Sequence, residues 1–186
     1  MKYTVESIRA RFAEGDRPEI ILFWGHTVQL GQIRKSCFSQ WFDCAFEEDG
    51  VTYHTSEQYM MAQKALLFGD RETYKKIMEA DSPKAYKALG REVTPFDAAL
   101  WNAHKYEIVL RGNLAKFSQN QPLLAFLLNT GDSVLAEASP YDGVWGIRLG
   151  VEDPKAKDPA LWQGENLLGF ALMEARDILR GGGGSV

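Results

Sequence analysis

Apolar residues recur at helical spacing through most of this chain and at strand spacing in a few short runs. Val5, Ile8 and Phe12 lie between Thr4 and Gly15 and predict a short amphipathic helix over 4–14. Ile20 to Trp24 is a continuous apolar run of strand length. From Gly25 to Gln40 the chain turns polar and Gly-rich, too irregular for an element and long enough to be a functional loop. It leads into two runs, 41–48 and 51–54, which flank Asp49-Gly50, the strongest short-range hairpin signal. A helix from Thr55 to Gly69 follows. Asp70 caps another to Ala80, Ser82-Pro83 opens one to Leu89 with Gly90 as its stop, and Thr94-Pro95 with Asp97 in the first turn opens a long one through about Phe117. Asn120 to Leu128 is short and apolar, and 133–138 reads as a strand. After a Pro- and Gly-punctuated loop over 139–164, the last helix runs from Asn166 to Arg180, with Leu168, Leu172, Ala175 and Leu179 on one face. The class is α+β: one compact, helix-rich domain over 1–180 with a small β-sheet or hairpin, then a flexible Gly-rich tail over 181–186.

The helix at Thr55 holds the strongest chemical signal. Thr55 with Gln58 forms a T-x-x-Q capping box, and Gly69 supplies a left-handed stop. At about 100° per residue, Glu57, Met61, Lys64, Ala65 and Phe68 fall on one stripe. Met60, Gln63 and Leu67 fall on a second, which leaves little of the circumference for water. Glu57 and Lys64 are therefore expected to be at least partly buried, and buried charges require a partner. That partner is either the other member of the pair or a ligand.

Composition narrows the chemistry further. A formal charge of −4 and a pI near 5.4 argue against an extended grip on a nucleic-acid backbone but leave a nucleotide-sized ligand open. Cys37 and Cys44 are too few for a disulfide framework, and His26, His54 and His104 do not join them at metal-ligand spacing. The expectation is a reducing compartment with no metal and no cofactor. With no long apolar run and no signal peptide, a soluble, cytoplasmic protein without membrane contact is expected. Phosphate-loop, dinucleotide, zinc-protease and hydrolase-elbow signatures do not occur.

Four segments in order resemble one family. Phe23-Trp24-Gly25, Phe38-Ser39-Gln40-Trp41, the run from Thr55 to Lys64, and Trp145-Gly146 with Gly164-Glu165-Asn166-Leu167-Leu168-Gly169 closely resemble the NADAR or YbiA-like N-glycosidases. Gly90-Arg91, Trp101 and the run from Asn113 to Phe117 fit the same pattern. The resemblance covers about Ile20 to Arg180. It implies a compact helix-rich α+β domain with its ligand in a cleft lined by these motifs, and hydrolysis of a bond between a nitrogen and C1 of ribose. Two substrate classes are implied: ADP-ribose on guanine bases, in some cases as the antitoxin to a DNA-modifying transferase, and phosphoribosylamino-pyrimidine intermediates of riboflavin synthesis. Where many relatives read Ser-Asn-Phe, this chain has Ser39-Gln40-Trp41, which displaces the amide by a methylene.

Cleaving a ribosyl C–N bond builds positive charge at C1 and the ring oxygen, so a carboxylate that also activates water is required. Glu57 is the candidate. Lys64 could keep Glu57 ionised, bind a phosphate, or attack C1 as a Schiff-base nucleophile, with electrostatic positioning ranked first. Gln63 could bond a base or ribose or, equally, loop backbone, and Tyr59 divides evenly between core packing and a ring contact. Trp145, followed by Gly146, sits in a loop where an exposed indole calls for a stacking partner such as a base. Asn166 is either a helix cap or a ligand contact, and Asp142 orients a sugar hydroxyl or makes an Asx turn. Lys35, Ser39 and Arg91 are candidate phosphate or ribose contacts. Trp41 joins them because the loop delivers it to the site, although a tryptophan in a strand, like Trp101 in a helix, more often packs. The partner implied is an ADP-ribose or ribose-phosphate ligand, with ADP-ribosylated nucleic acid engaged through one nucleotide.

Overall fold

The computed structural model describes residues 1–26 and 32–182. The middle of the expected 25–40 loop, 27–31, and the end of the tail, 183–186, lie outside the described residues. The architecture is α+β, as the periodicity predicts. By contact the chain divides into two compact units, Gln40–Asn120 and the remainder on either side of it in sequence.

The flanking unit is built on two parallel strands, β1 (Ile20–Phe23) and β4 (Val134–Glu137), in register from Ile20 with Val134 to Phe23 with Glu137. The run Val134–Ala136 of β4 and the end of β1, Leu22 and Phe23, are buried, while Ile20 and Ile21 are half-buried. Helix α7 (Leu167–Gly181) packs on β4 with Leu168, Phe170, Ala171 and Leu172 buried. Helix α1 (Val5–Ala13) is capped reciprocally by Thr4 and Ser7, and α6 (Gln121–Leu128) leads to β4. Two expected loops contain short 3-10 turns, Lys35–Phe38 in the first and Pro154–Lys157 and Pro159–Leu161 in the second. Asp153 and Asp158 cap the latter two, each before a proline that presets φ.

In the Gln40–Asn120 unit the hairpin pairs β2 (Phe46–Glu48) with β3 (Val51–Tyr53), and Asp49 and Gly50 take positive φ between them. The first strand is shorter than expected, so Trp41 is not in a strand. Helices α2 (Ser56–Leu67), α3 (Arg71–Glu79), α4 (Pro83–Glu92) and α5 (Ala98–Gln119) follow, and α2 packs against the other three. Gly90 does not stop α4 as predicted; the helix runs through it because α2 crosses there. A Cβ at Gly90 would stand 1.9 Å from the Met61 sulfur, so the glycine is a contact point. Asp97 is the N-cap of α5 rather than a first-turn residue, accepting from the amides of Ala99 and Leu100. Among the described residues, no helix is long and apolar enough to cross a membrane.

Candidate functional site

Within the Gln40–Asn120 unit, α2 carries four of the predicted residues, and its start is fixed by main chain and side chain together. Thr55 Oγ1 accepts from the Gln58 amide at 3.1 Å. The expected return bond differs: Gln58 Oε1 accepts from the His54 amide at 2.8 Å, and Gln58 Nε2 donates to the Ile77 carbonyl at 3.4 Å. The shift by one residue ties the hairpin to the helix start. Glu57 lies in the first turn, 4% exposed, and its amide donates to the Gln40 carbonyl at 2.9 Å. A carboxylate there is favoured by the helix dipole.

Lys64 is half-buried near the other end of α2. Its Nζ donates to the Gly90 carbonyl at 2.7 Å and stands 4.5 Å from the Phe96 ring centroid and 5.6 Å from that of Trp101. Burial pushes the Lys64 pKa below its ordinary 10.5, increasing the fraction of neutral, nucleophilic amine. The expected pairing in which Lys64 keeps Glu57 ionised does not enter that shift, whose cause is burial. Gln63 Nε2 donates to the Tyr53 hydroxyl at 3.3 Å. Burial pushes the Tyr53 pKa up to about 12.

Tyr59 is a core residue. It is 2% exposed, edge-on to Tyr53 with centroids 5.1 Å apart, and pressed against Gly112, where a Cβ would approach its ring to 2.6 Å. Of the two roles held open for it, the packing one is what these contacts describe. Trp41 is half-buried with the Lys87 ammonium 6.0 Å from its ring, and Arg91 is exposed on α4.

A second set gathers in the flanking unit. Asp142 makes the Asx turn that its type allows: Oδ1 accepts from the amides of Val144 at 2.9 Å and Trp145 at 2.8 Å. The loop then caps α7 with its own carbonyls. Gly146 accepts from the Asn166 amide, Val144 from Leu167 and Trp145 from Leu168, at 3.1 to 3.2 Å. These bonds satisfy three of the orphan donors at the helix start. Gly146 is buried, and a Cβ there would meet the Glu137 carbonyl at 2.7 Å. Trp145, half-buried, is held by main chain on both sides.

Asn166 is the N-cap residue of α7, as one of its two expected roles has it, with φ of 54° and no side-chain cap bond. Its side chain extends the sheet instead. Oδ1 accepts from the Glu137 amide and Nδ2 donates to the Leu135 carbonyl, each at 3.0 Å, so the amide imitates a neighbouring strand along β4. Fully buried, it is bound to structure on both sides. Lys35 and Ser39 lie at the two ends of the first 3-10 turn. Lys35 is exposed and lines a cavity of about 570 Å³ with Glu19, Ile20, Phe126, Thr130 and Lys157.

In the sequence, Asn113 and Lys116 belong only to a family pattern, and Gln40 only to a departure from one. All three are buried, at 0%, 0% and 8% exposure. Asn113 Nδ2 donates to Gln40 Oε1 at 3.3 Å and to the Val109 carbonyl at 2.8 Å. Lys116 Nζ stands 5.4 Å from the Phe42 ring and 5.3 Å from that of Phe117. The available signal was an amide and an amine three residues apart on the apolar face of a long helix.

The chain is similar to known proteins. Residues 22–180 match the family model described as the NADAR domain. N-glycosidase R617 of Acanthamoeba polyphaga mimivirus is 44% identical over 82% of this chain and 92% of its own length. N-glycosidase YbiA of Escherichia coli is 31% identical over 86% of this chain and 88% of its own. The solution structure of E. coli YbiA superposes with a TM-score of 0.72, covering 90% of this chain and 88% of that one at 29% identity. A protein named for riboflavin biosynthesis in Vibrio vulnificus is 30% identical over 76% of this chain but only 35% of its own length.

Proposed function

Because the chain belongs to the NADAR domain family and is an N-glycosidase, we propose that it removes ADP-ribose from guanine bases by hydrolysing the N–C1 ribosyl bond. The observation that carries the chemistry is Glu57, a carboxylate 4% exposed in the first turn of α2 with its backbone anchored to Gln40. In low dielectric such a group stabilises an oxocarbenium ion strongly and takes a proton from attacking water. The C1–N pair leaves with the base, which acquires a proton, and water oxygen bonds to C1.

The lowered pKa of Lys64 raises the standing of the covalent route. Its neutral amine attacks C1, the base departs, the ribose ring opens to an imine, and water returns the free sugar and the amine. Trp145 offers an indole for base stacking, and Asp142 holds its loop. Guanine carrying ADP-ribose is favoured because a charge of −4 suits a single nucleotide better than a nucleic-acid backbone. The ligand is thus an ADP-ribose unit, with nucleic acid engaged through one nucleotide and no membrane.

The riboflavin-named relative supports a second substrate, a phosphoribosylamino-pyrimidine. Incubation with ADP-ribosylated DNA and, separately, with that pyrimidine decides between them by release of ADP-ribose or ribose phosphate. Glu57→Gln is expected to keep binding and lose turnover. Borohydride added during turnover is expected to fix a sugar adduct on Lys64 if the imine forms. Tight binding of ADP-ribose with no turnover of either substrate would overturn the reading in favour of a non-catalytic reader.

A further inference from the structure

We propose that Lys116, rather than Lys64, is the counter-charge of Glu57, and that Gln40 and Asn113 form the bridge that fixes the two, making Gln40 and Lys116 positioning residues. The proposal rests on Glu57 as the glycosidase carboxylate.

The first argument is charge balance. Of the buried polar side chains in Gln40–Asn120, two carry a full charge: Glu57 at 4% exposure and Lys116 at 0%. A charge removed from water is retained only where an opposite charge or a full set of hydrogen bonds compensates it. Lys64 is the weaker candidate, since its Nζ donates to the Gly90 carbonyl beside the Phe96 ring and its lowered pKa has burial as the one cause, with no contribution from Glu57.

The second argument is connectivity. The Glu57 amide donates to the Gln40 carbonyl at 2.9 Å, and Gln40 Oε1 accepts from Asn113 at 3.3 Å. Asn113 and Lys116 are three apart on α5 and share a face. Two residues beyond Gln40, the Phe42 ring lies 5.4 Å from the Lys116 ammonium. The Lys116 charge also acts on Cys44, opposing the rise that burial gives its thiol pKa. The segment 40–44 therefore runs from the start of the Glu57 helix along Lys116. Gln40 holds one end by its backbone and the other by its side chain.

A thermal double-mutant cycle tests the pairing without substrate, so it stands or falls apart from the glycosidase reading. Lys116→Met is expected to lower Tm strongly by leaving Glu57 uncompensated, and adding Glu57→Gln is expected to raise Tm above that of Lys116→Met alone. Strictly additive losses would overturn the pairing. Should Lys116→Met not fold, the ammonium resonance of Lys116 is compared between wild type and Glu57→Gln; a shift is expected, and an unchanged signal overturns the proposal. In turnover, Gln40→Ala is expected to lower kcat about tenfold to a hundredfold with KM little changed, the signature of a displaced group. An unchanged kcat would remove Gln40 from the bridge. Lys116→Arg, which keeps the charge, is expected to recover part of the turnover that Lys116→Met loses.

Discussion

Lys64 and Gly90 are joined by a 2.7 Å hydrogen bond from a side-chain ammonium on α2 to a main-chain carbonyl on α4. That contact holds the amine in a half-buried position, and burial lowers its pKa from 10.5. Between the lowered value and 10.5 the unfolded chain binds more protons than the folded one, so stability rises with pH across that window. Relative to Lys64→Met, the wild type should gain stability as pH is raised towards 10.5 and lose it as pH falls through the lowered value. Denaturant titrations of both proteins across alkaline pH measure this; a constant difference would contradict it.

Two glycines in helices admit α-methyl groups at different cost. A Cβ at Gly90 meets the Met61 side chain, whereas at Gly169 it stands 2.1 Å from the Leu135 carbonyl. Met61 can change rotamer, while β4 cannot move without breaking its ladder. Gly90→Ala is expected to cost about 1 kcal/mol and Gly169→Ala about 3 kcal/mol or more. Unfolding in urea checks the order, and equal losses would refute it.

Removing the amide of Asn166 should destabilise the sheet edge. In Asn166→Ala the Glu137 amide and the Leu135 carbonyl lose their partners, and a residue with a Cβ must hold φ of 54°. The expected cost is about 2 to 4 kcal/mol. Asn166→Asp keeps the acceptor but loses the donor and should lie between the two in Tm.

Asp142→Ala removes the acceptor for two loop amides that precede the carbonyls capping α7. With Trp145 as the stacking group, kcat/KM should fall about tenfold while global stability drops by only about 1 kcal/mol. Steady-state kinetics beside a melting curve check it. Loss of stability with unchanged kcat/KM would make the Asx turn purely structural.

Legibility in the sequence followed the range of the forces involved. Helix starts at Thr4, Thr55, Asp70 and Ser82 were readable because each cap is a bond between neighbours. The Asp49-Gly50 hairpin was readable for the same reason. Gly90 misled because a glycine that admits another helix looks like one that ends its own. Asn166 stayed open between cap and ligand contact because the partners of its side chain, Leu135 and Glu137, are distant in sequence. At the candidate site, Glu57 and Lys64 declared themselves through one helix's periodicity. Gln40, Asn113 and Lys116 did not, since their relationship joins a loop to a helix more than 70 residues away.

The order of residues alone determined the element types, the caps, the burial of α2 and the family of the chain, because all of these depend on spacing within a few turns. Tertiary structure decided which lysine is fully enclosed, which amide completes β4 and which carbonyls cap α7. Desolvation and hydrogen-bond pairing depend on what surrounds a group in three dimensions, and neighbours in sequence do not report that environment.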